Sequence, residues 1–550
     1  MSTLDRYKPL IVQSDMTLLL ETNNESYESA RDELSSFAEI VKSPEYIHTY
    51  KMSPISLWNA ASAGVKSDDI LKILEKYSKY PISETVVARL RQISNRYGRV
   101  RIVKVERELF LETDDEMVMT QLCADKSVSK FFVEPPQHNI VKIDPVFRGH
   151  IKQALMNIQF PPEDLAGYSL GEQLEFSLRG DVFEPRDYQL AAVSAFRAGG
   201  KGDHGVIVLP CGAGKTIVGL IAMAKLKTET LVLTTSITAL RQWISELKSK
   251  TNIDPELIGE YSSEKKEIKP ITISTYQIIS AKNRCDEQKH FELFSERNWG
   301  FIIYDEVHTL PAPVFRITAE LQAKRRLGLT ATLVREDGHE PDVFALIGPK
   351  RHEVGWKVLE GQGWIAQAEC FEVRVPMPDG LKMPYAIAEK REKFRIAAEN
   401  PDKMVIVNRR IEKHGDAHIL VIGTYLEQLQ RIAKQLDAPL ITGKTKNRER
   451  EVLYGRFKRG EVKLLVVSKV ANFAIDLPDA NVAIEVSGSF GSRQEEAQRL
   501  GRILRPKQGE NKAYFYTVVS RDTCEEEFSM HRQLFLTEQG YPYKIIDEAV

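Results

Sequence analysis

The chain has 550 residues, 42% hydrophobic and 28% charged, a length that predicts roughly three to five domains and a composition that excludes a disordered, fibrous or repeat protein. Lys plus Arg number 76 against 77 Asp plus Glu, so any attraction for phosphate must come from local patches rather than from the whole. Five widely spaced cysteines (123, 211, 285, 370 and 524) exclude an iron–sulfur cluster, and with no N-terminal leader and no bilayer-length apolar run the expectation is a cytoplasmic protein without a membrane partner.

The first fifty residues offer an apolar stretch at Met16–Leu20, a helix over Glu28–Val41 and an extended piece at Ile47–Met52. Ser53-Pro54, Ser67-Asp68 and Ser83-Glu84 each set a capping hydroxyl before an apolar-periodic run, which predicts three short helices broken near Gly64 and Pro81. Alternation at Arg99–Val105 and Glu108–Glu112 predicts a hairpin, and three helices with a hairpin suggest a winged-helix shape. Arg89, Arg91 and Arg96, then Arg99 and Arg101, offer a nucleic-acid-facing surface; a solvated helix face is the plainer reading. Residues 106 to 180 mix short strands, Pro-Pro breaks and a helix near Phe147–Asn157.

From His204 the pattern changes. Apolar strands at Val206–Leu209, Leu231–Thr235, Ile271–Thr275, Phe301–Tyr304 and Leu327–Thr330 alternate with helical segments, the signature of a mainly parallel sheet covered by helices. A second series runs through Ile419–Ile422, Leu464–Val467, Val482–Val486 and Ala513–Val518, so two α/β lobes are implied. Between them Met383–Lys413 is charged and helix-favouring, a small helical insertion.

Chemistry concentrates in a few runs. Pro210-Cys211-Gly212-Ala213-Gly214-Lys215-Thr216 follows a strand and opens an apolar helix, the setting of a phosphate-binding loop, although Leu209 stands where the strict pattern has Gly. In such a loop Gly212 and Gly214 let backbone amides turn toward phosphate, Lys215 reaches the β and γ groups of ATP, and the Thr216 hydroxyl ligates Mg²⁺. Asp305 and Glu306 end a strand, where α/β sheets bind ligands; Asp305 suits Mg²⁺ and Glu306 suits deprotonation of the attacking water. Arg186 and Gln189 precede the loop by about twenty residues, and Gln189 offers a bidentate partner to adenine. In the second lobe Gln498, Arg502 and Arg505 share one helix face, so the two arginines can act as arginine fingers, worth roughly 10³ to 10⁵ in rate. Gly328–Thr332, with Thr330 and Thr332, and Val470–Pro478, with Asp476 as a nucleotide sensor, are placed to link the ATP site to a track, as are His308 and Gln498.

In order, RDYQ at 186–189, PCGAGKT at 210–216, LVLTTSITALRQW at 231–243, ISTYQ at 273–277, DEVH at 305–308, GLTAT at 328–332, SKVANFAIDLP at 468–478 and QRLGRILR at 498–505 resemble the motif series of superfamily-two helicases. Within that superfamily the chain is similar to the XPB family in its compact bacterial and archaeal form. Arg335-Glu336-Asp337 match that family's strand-separating RED element, 383–413 falls where it has a thumb-like element, and 47–113 resemble its N-terminal domain.

The resemblance implies two RecA-like parallel-sheet motor lobes preceded by a winged-helix-like α+β region. Its divisions are an N-terminal domain (1–105), a damage-recognition-like domain (106–180), a first lobe (181–352), a thumb-like insertion (377–413) and a second lobe (414–550). It also implies 3′-to-5′ unwinding of DNA at single-strand/duplex junctions, a repair role, a monomer and, by analogy with archaeal relatives, a nuclease partner. Three other readings are a duplex translocase or conformational switch, an RNA helicase, and a damage-binding scaffold with a vestigial motor. Arg335–Asp337 argue against the first, the N-terminal resemblance against the second, and the intact Lys215, Thr216, Asp305, Glu306, Arg502 and Arg505 against the third.

Overall fold

Alternating apolar residues at the N-terminus pair into an antiparallel sheet in the order Leu10–Val12, Thr17–Glu21, Ile47–Lys51, Glu39–Lys42, with Leu18 and Leu20 buried on one face. The structure is a computed structural model that describes residues 7–42, 46–62, 64–106, 108–144, 147–166, 171–197, 203–279, 293, 297–309, 323, 325–331, 340–468, 480–488, 500–501, 503–504, 511–538, 541 and 543–549. The helix expected over 28–41 ends at Leu34, and the β-branched pair Ile40-Val41 lies in the strand Glu39–Lys42 instead.

Three helices follow, Pro54–Ser62, Ser67–Tyr77 and Glu84–Ser94. Ser53 and Ser83 serve as caps, their hydroxyls accepting from Ser56 N at 3.1 Å and Val86 N at 3.4 Å. Ser67 is already the first helical residue, and Lys66 occupies the cap position. The expected hairpin forms, with Val100 opposite Thr113 and Val105 opposite Glu108. It does not stand as a wing beside those helices. It is the centre of another four-stranded sheet, flanked by Ile140–Ile143 and Pro162–Asp164, and Val100, Ile102, Leu109 and Leu111 share a core with Val118, Leu122, Ile151 and Leu155. The region is α+β as expected, but a boundary at 105/106 would cut this hairpin in two; the break in the core falls near Arg99.

By compactness the chain divides into two units, Met1–Leu209 with Gly214–Val354, and Gly355–Val550 with Pro210–Ala213. The first contains a seven-stranded parallel sheet in the order Ile258–Tyr261, Ile271–Thr275, Thr230–Thr234, Phe301–Asp305, Arg325–Thr330, His204–Val208, Lys350–Glu353. Its central strands are buried along their length, which is why they read as continuous apolar runs rather than alternations. The N-terminal helices join this unit's core: Asn59 Oδ1 accepts from Lys350 N at 3.0 Å, and Trp58 and Tyr97 both pack on Phe344.

The second unit holds another seven-stranded parallel sheet, ordered Leu440–Ile441, Leu464–Ser468, Ile419–Gly423, Val482–Glu485, Lys512–Ser520, Gln367–Val375, Tyr543–Asp547. The strand Gln367–Val375 lies well inside it, so this lobe begins before the expected residue 414. The helices Lys390–Ala398 and Lys403–His414, expected to form the insertion, bury Phe394, Ala397, Ile406 and Val407, the last two in this sheet's core. Lys403 is fixed by a buried ion pair to Glu525 at 2.7 Å. Of the three helices within 377–414, Asp379–Ile387 alone buries no residue. Among the described residues no helix is long and apolar enough to cross a membrane.

A buried charge cluster seats the hairpin module on the first sheet. Asp164 accepts from Arg148 Nε at 3.1 Å, Lys152 Nζ at 3.0 Å and Arg326 Nη2 at 3.3 Å, and no side chain of the four is more than 5% exposed. Burial opposes ionisation of Asp164, but the three cations outweigh it and hold its carboxyl well below the usual carboxylate range. Burial is also the chief reason that the Lys152 ammonium falls to about 7; Asp164 opposes the shift and the two guanidiniums reinforce it. Of the three cations Lys152 is therefore the dispensable one. Asp164→Asn should cost about 3–5 kcal/mol by stranding the arginines, whereas Lys152→Met should be neutral or stabilising. Unfolded lysine titrates near 10.4, so between about pH 7 and that value the unfolded chain binds the extra proton and stability rises with pH. The gain from Lys152→Met should accordingly be larger at pH 6 than at pH 9, as thermal unfolding at both pH values would show; equal losses in the two variants would contradict this charge balance.

Candidate nucleotide site

The strand His204–Val208 runs into Leu209, whose N donates to Thr330 O at 2.9 Å, and the chain then turns through Pro210–Gly214 into the helix Lys215–Leu226. Gly212 and Gly214 have φ of 81° and 78°, in the left-handed region that a side chain rarely adopts. At Gly214 there is a second constraint, because a Cβ there would stand 2.6 Å from Gln189 Nε2. Gln189 is 4% exposed, and its Oε1 accepts from Arg186 N at 3.0 Å. The structure thus puts Gln189 against the loop, its carbonyl oxygen already engaged by the start of its own helix, and Arg186 Nη1 donates to Tyr188 OH at 3.1 Å.

Two strands away in the same sheet, Phe301–Asp305 ends at the acidic pair. Glu306 has φ of 49°, a strained conformation for a non-glycine residue, and its Oε1 lies 2.7 Å from Lys215 Nζ. Burial opposes its ionisation, yet Lys215 and His308 hold its carboxyl below the usual range. Asp305 behaves oppositely. Burial, then the neighbouring Glu306 charge, pushes its carboxyl up to about 6 against the counter-pull of Trp243 and Lys215. Asp305 Oδ2 accepts from Trp243 Nε1 at 2.9 Å, Oδ1 accepts from Glu306 N at 3.1 Å, and its backbone O accepts from Tyr276 OH at 2.9 Å.

The intervening strand Arg325–Thr330 ties the two halves together. Thr330 O holds Leu209 at the loop, while Thr330 Oγ1 lies 2.7 Å from His308 Nδ1, which is 3.5 Å from Glu306 Oε2. Among the described residues no cluster of three or more His, Cys, Asp or Glu could hold a metal; the carboxylate of Asp305 and the hydroxyl of Thr216 are by type the sparse oxygen donors that suit Mg²⁺ accompanied by phosphate. A carboxyl pushed up by burial and a like charge fits that role, since a neighbouring cation stabilises its ionised form.

Thr332, Arg335, Glu336, Asp337, Asp476, Gln498, Arg502 and Arg505 lie outside the described residues. The N-terminal basic surface is largely paired: Arg91 with Asp68, Arg99 with Asp114 and Asp115, Arg101 with Glu163. Trp243 and Tyr276 carry contacts to Asp305 that their types alone did not announce, although both sit within the motif runs 231–243 and 273–277.

Family models match along the chain: one described as the ERCC3/RAD25/XPB C-terminal helicase at residues 359–550, one as a helicase conserved C-terminal domain at 10–135, and one as the type III restriction enzyme res subunit at 182–335. The DNA 3′-5′ helicase XPB of Mycobacterium tuberculosis is 51% identical over 540 residues, covering 98% of both chains. That of Kineococcus radiotolerans is 49% identical, covering 98% of this chain and 96% of its own. Among solved structures, the ATP-dependent Type ISP restriction-modification enzyme LlaBIII bound to DNA shares the fold at TM-score 0.50 and 16% identity, over 67% of this chain and 32% of that one.

Gly214→Ala should meet both the left-handed backbone and Gln189 Nε2, and so lower the melting temperature. Adding Gln189→Ala removes the second obstacle and not the first, so the double variant should recover part of the loss; full recovery or none would show that one constraint acts alone.

Proposed function

The chain belongs to the XPB family of DNA 3′-5′ helicases, and from that premise we propose that ATP hydrolysed at Lys215, Asp305 and Glu306 drives strand separation at DNA single-strand/duplex junctions in repair. The observation that carries the reading is the Lys215–Glu306 pair at 2.7 Å, formed between the first residue of the phosphate-loop helix and the strained residue after the strand end. The β- and γ-phosphates of ATP compete with Glu306 for the Lys215 ammonium. Once Lys215 turns to phosphate, Glu306 loses the nearest charge that keeps it a weak base, and its proton affinity rises as a general base requires. Water then attacks the γ-phosphorus, Glu306 takes its proton, and the bond to the ADP oxygen breaks with its electrons staying on ADP.

Gly212, Gly214 and the amides opening the Lys215–Leu226 helix cradle the phosphates. Thr216 and Asp305 would hold Mg²⁺, which when bound spreads the phosphate charge. Arg502 and Arg505 supply the second lobe's cations, Gln189 and Arg186 flank the base, and Asp476 senses the nucleotide. Thr330 holds Leu209, the residue before the loop, and meets His308 beside Glu306, so a change at the γ-phosphate is passed to the end of strand Arg325–Thr330 through these contacts. By resemblance to the family, Arg335, Glu336 and Asp337 part the strands, with Thr332 and Gln498 in the same relay.

Lys215→Ala should abolish ATP turnover, and Glu306→Gln should retain ATP binding while turnover stalls. Unwinding should be measured on duplexes with a 3′ tail, a 5′ tail and blunt ends, with turnover recorded on each. Opening of the 3′-tailed duplex alone is the expected result; DNA-stimulated turnover that opens none would indicate a duplex translocase, and normal turnover in either variant would displace the site.

A further inference from the structure

Trp243 lies on the helix Ile237–Lys250, takes no part in the chemistry above, and is 1% exposed. A buried indole N–H needs an acceptor. Here the acceptor is Asp305 Oδ2 at 2.9 Å, 62 residues away in sequence. The other end of the ring is wedged against the phosphate-loop helix: a Cβ on Gly219 would lie 2.4 Å from Trp243 Cη2 and 3.0 Å from Cζ3. Tyr276 OH meanwhile fixes the Asp305 backbone oxygen at 2.9 Å. Asp305 is thereby held through its side chain and its main chain by two large, buried aromatic residues.

We infer that Trp243 is a positioning residue for the metal-holding carboxylate, with Gly219 as the notch that sets its ring. This rests on the reading of Asp305 as that carboxylate. A carboxylate offers about four acceptor directions; Trp243 and the Glu306 amide occupy one on each oxygen and leave the others for a hydrated cation. Without the indole, the carboxylate has to be ordered each time Mg²⁺ and nucleotide arrive, at the expense of side-chain entropy. The same wedge links the two motif helices, because a shift of either moves the ring and with it Asp305.

The test uses the full chain and a fluorescent ADP analogue titrated with Mg²⁺, alongside the same titration in EDTA. Trp243→Phe keeps a ring in the notch and removes the donor. It should raise the Mg²⁺ concentration for half of the affinity gain roughly tenfold, the scale of one charge-assisted hydrogen bond, and leave affinity in EDTA unchanged. Gly219→Ala keeps the N–H but displaces the ring, and should shift the Mg²⁺ midpoint in the same direction. An unshifted midpoint in folded Trp243→Phe overturns the inference, as does an equal loss of affinity with and without Mg²⁺, which marks a purely structural role. If Trp243→Phe fails to fold, Gly219→Ala decides by the same criterion. Failure of the underlying reading looks different: the unaltered chain would itself gain no affinity from Mg²⁺.

Discussion

Glu306 holds its backbone at φ 49°, where a residue with a Cβ loses about 1–2 kcal/mol, and the contact that compensates is its carboxylate against Lys215 at 2.7 Å. Much of the sheet edge is organised around that exchange. Strand Phe301–Asp305 stops where the left-handed residue turns the chain, and the short turn Val307–Thr309 that follows delivers His308 to Thr330. The loop that follows His204–Val208, two strands away, is held at its start by Thr330 O and brings Lys215 across. A ligand that draws Lys215 away removes the compensation and leaves the strain, so phosphate binding and local conformation are linked through a single ammonium group.

The parts legible in the sequence are those whose chemistry is local. A strand, GxGKT and a helix are contiguous, and the acidic pair follows its strand directly, so both could be placed without knowing what packs on them. The roles of Trp243 and Tyr276 were not legible because they depend on pairings 62 and 29 residues long. Strand Gln367–Val375 escaped for a related reason. It carries Glu369, Glu372 and Arg374, which resemble a surface, yet Glu372 is buried and accepts from Ser529 at 2.8 Å and Gln533 at 2.7 Å on the helix Cys524–Glu538. A polar partner supplied more than 150 positions later reverses the hydropathy signal. The hairpin was legible as a hairpin, and only its membership was not, since short-range alternation fixes pairing but not which core the apolar face enters.

Strand Arg325–Thr330 gives these features a common axis. At one end Arg326 enters the buried cluster on Asp164, which seats the hairpin module; at the other Thr330 touches the loop and His308, about 13 Å along by strand rise. The edge strand Lys350–Glu353, two places away and paired with His204–Val208, takes the Asn59 contact from the N-terminal helices. A strand buried on both faces cannot slide or tilt by small degrees without breaking its ladder on each side. The modules preceding the first lobe are therefore fastened to the sheet that carries the site, the hairpin module at Arg326 and the N-terminal helices at the edge strand Lys350–Glu353. The hairpin module meets the sheet at Arg326, through bonds that are expensive to leave half made, and Thr330 at the other end of the same strand carries the contact to His308 beside Glu306.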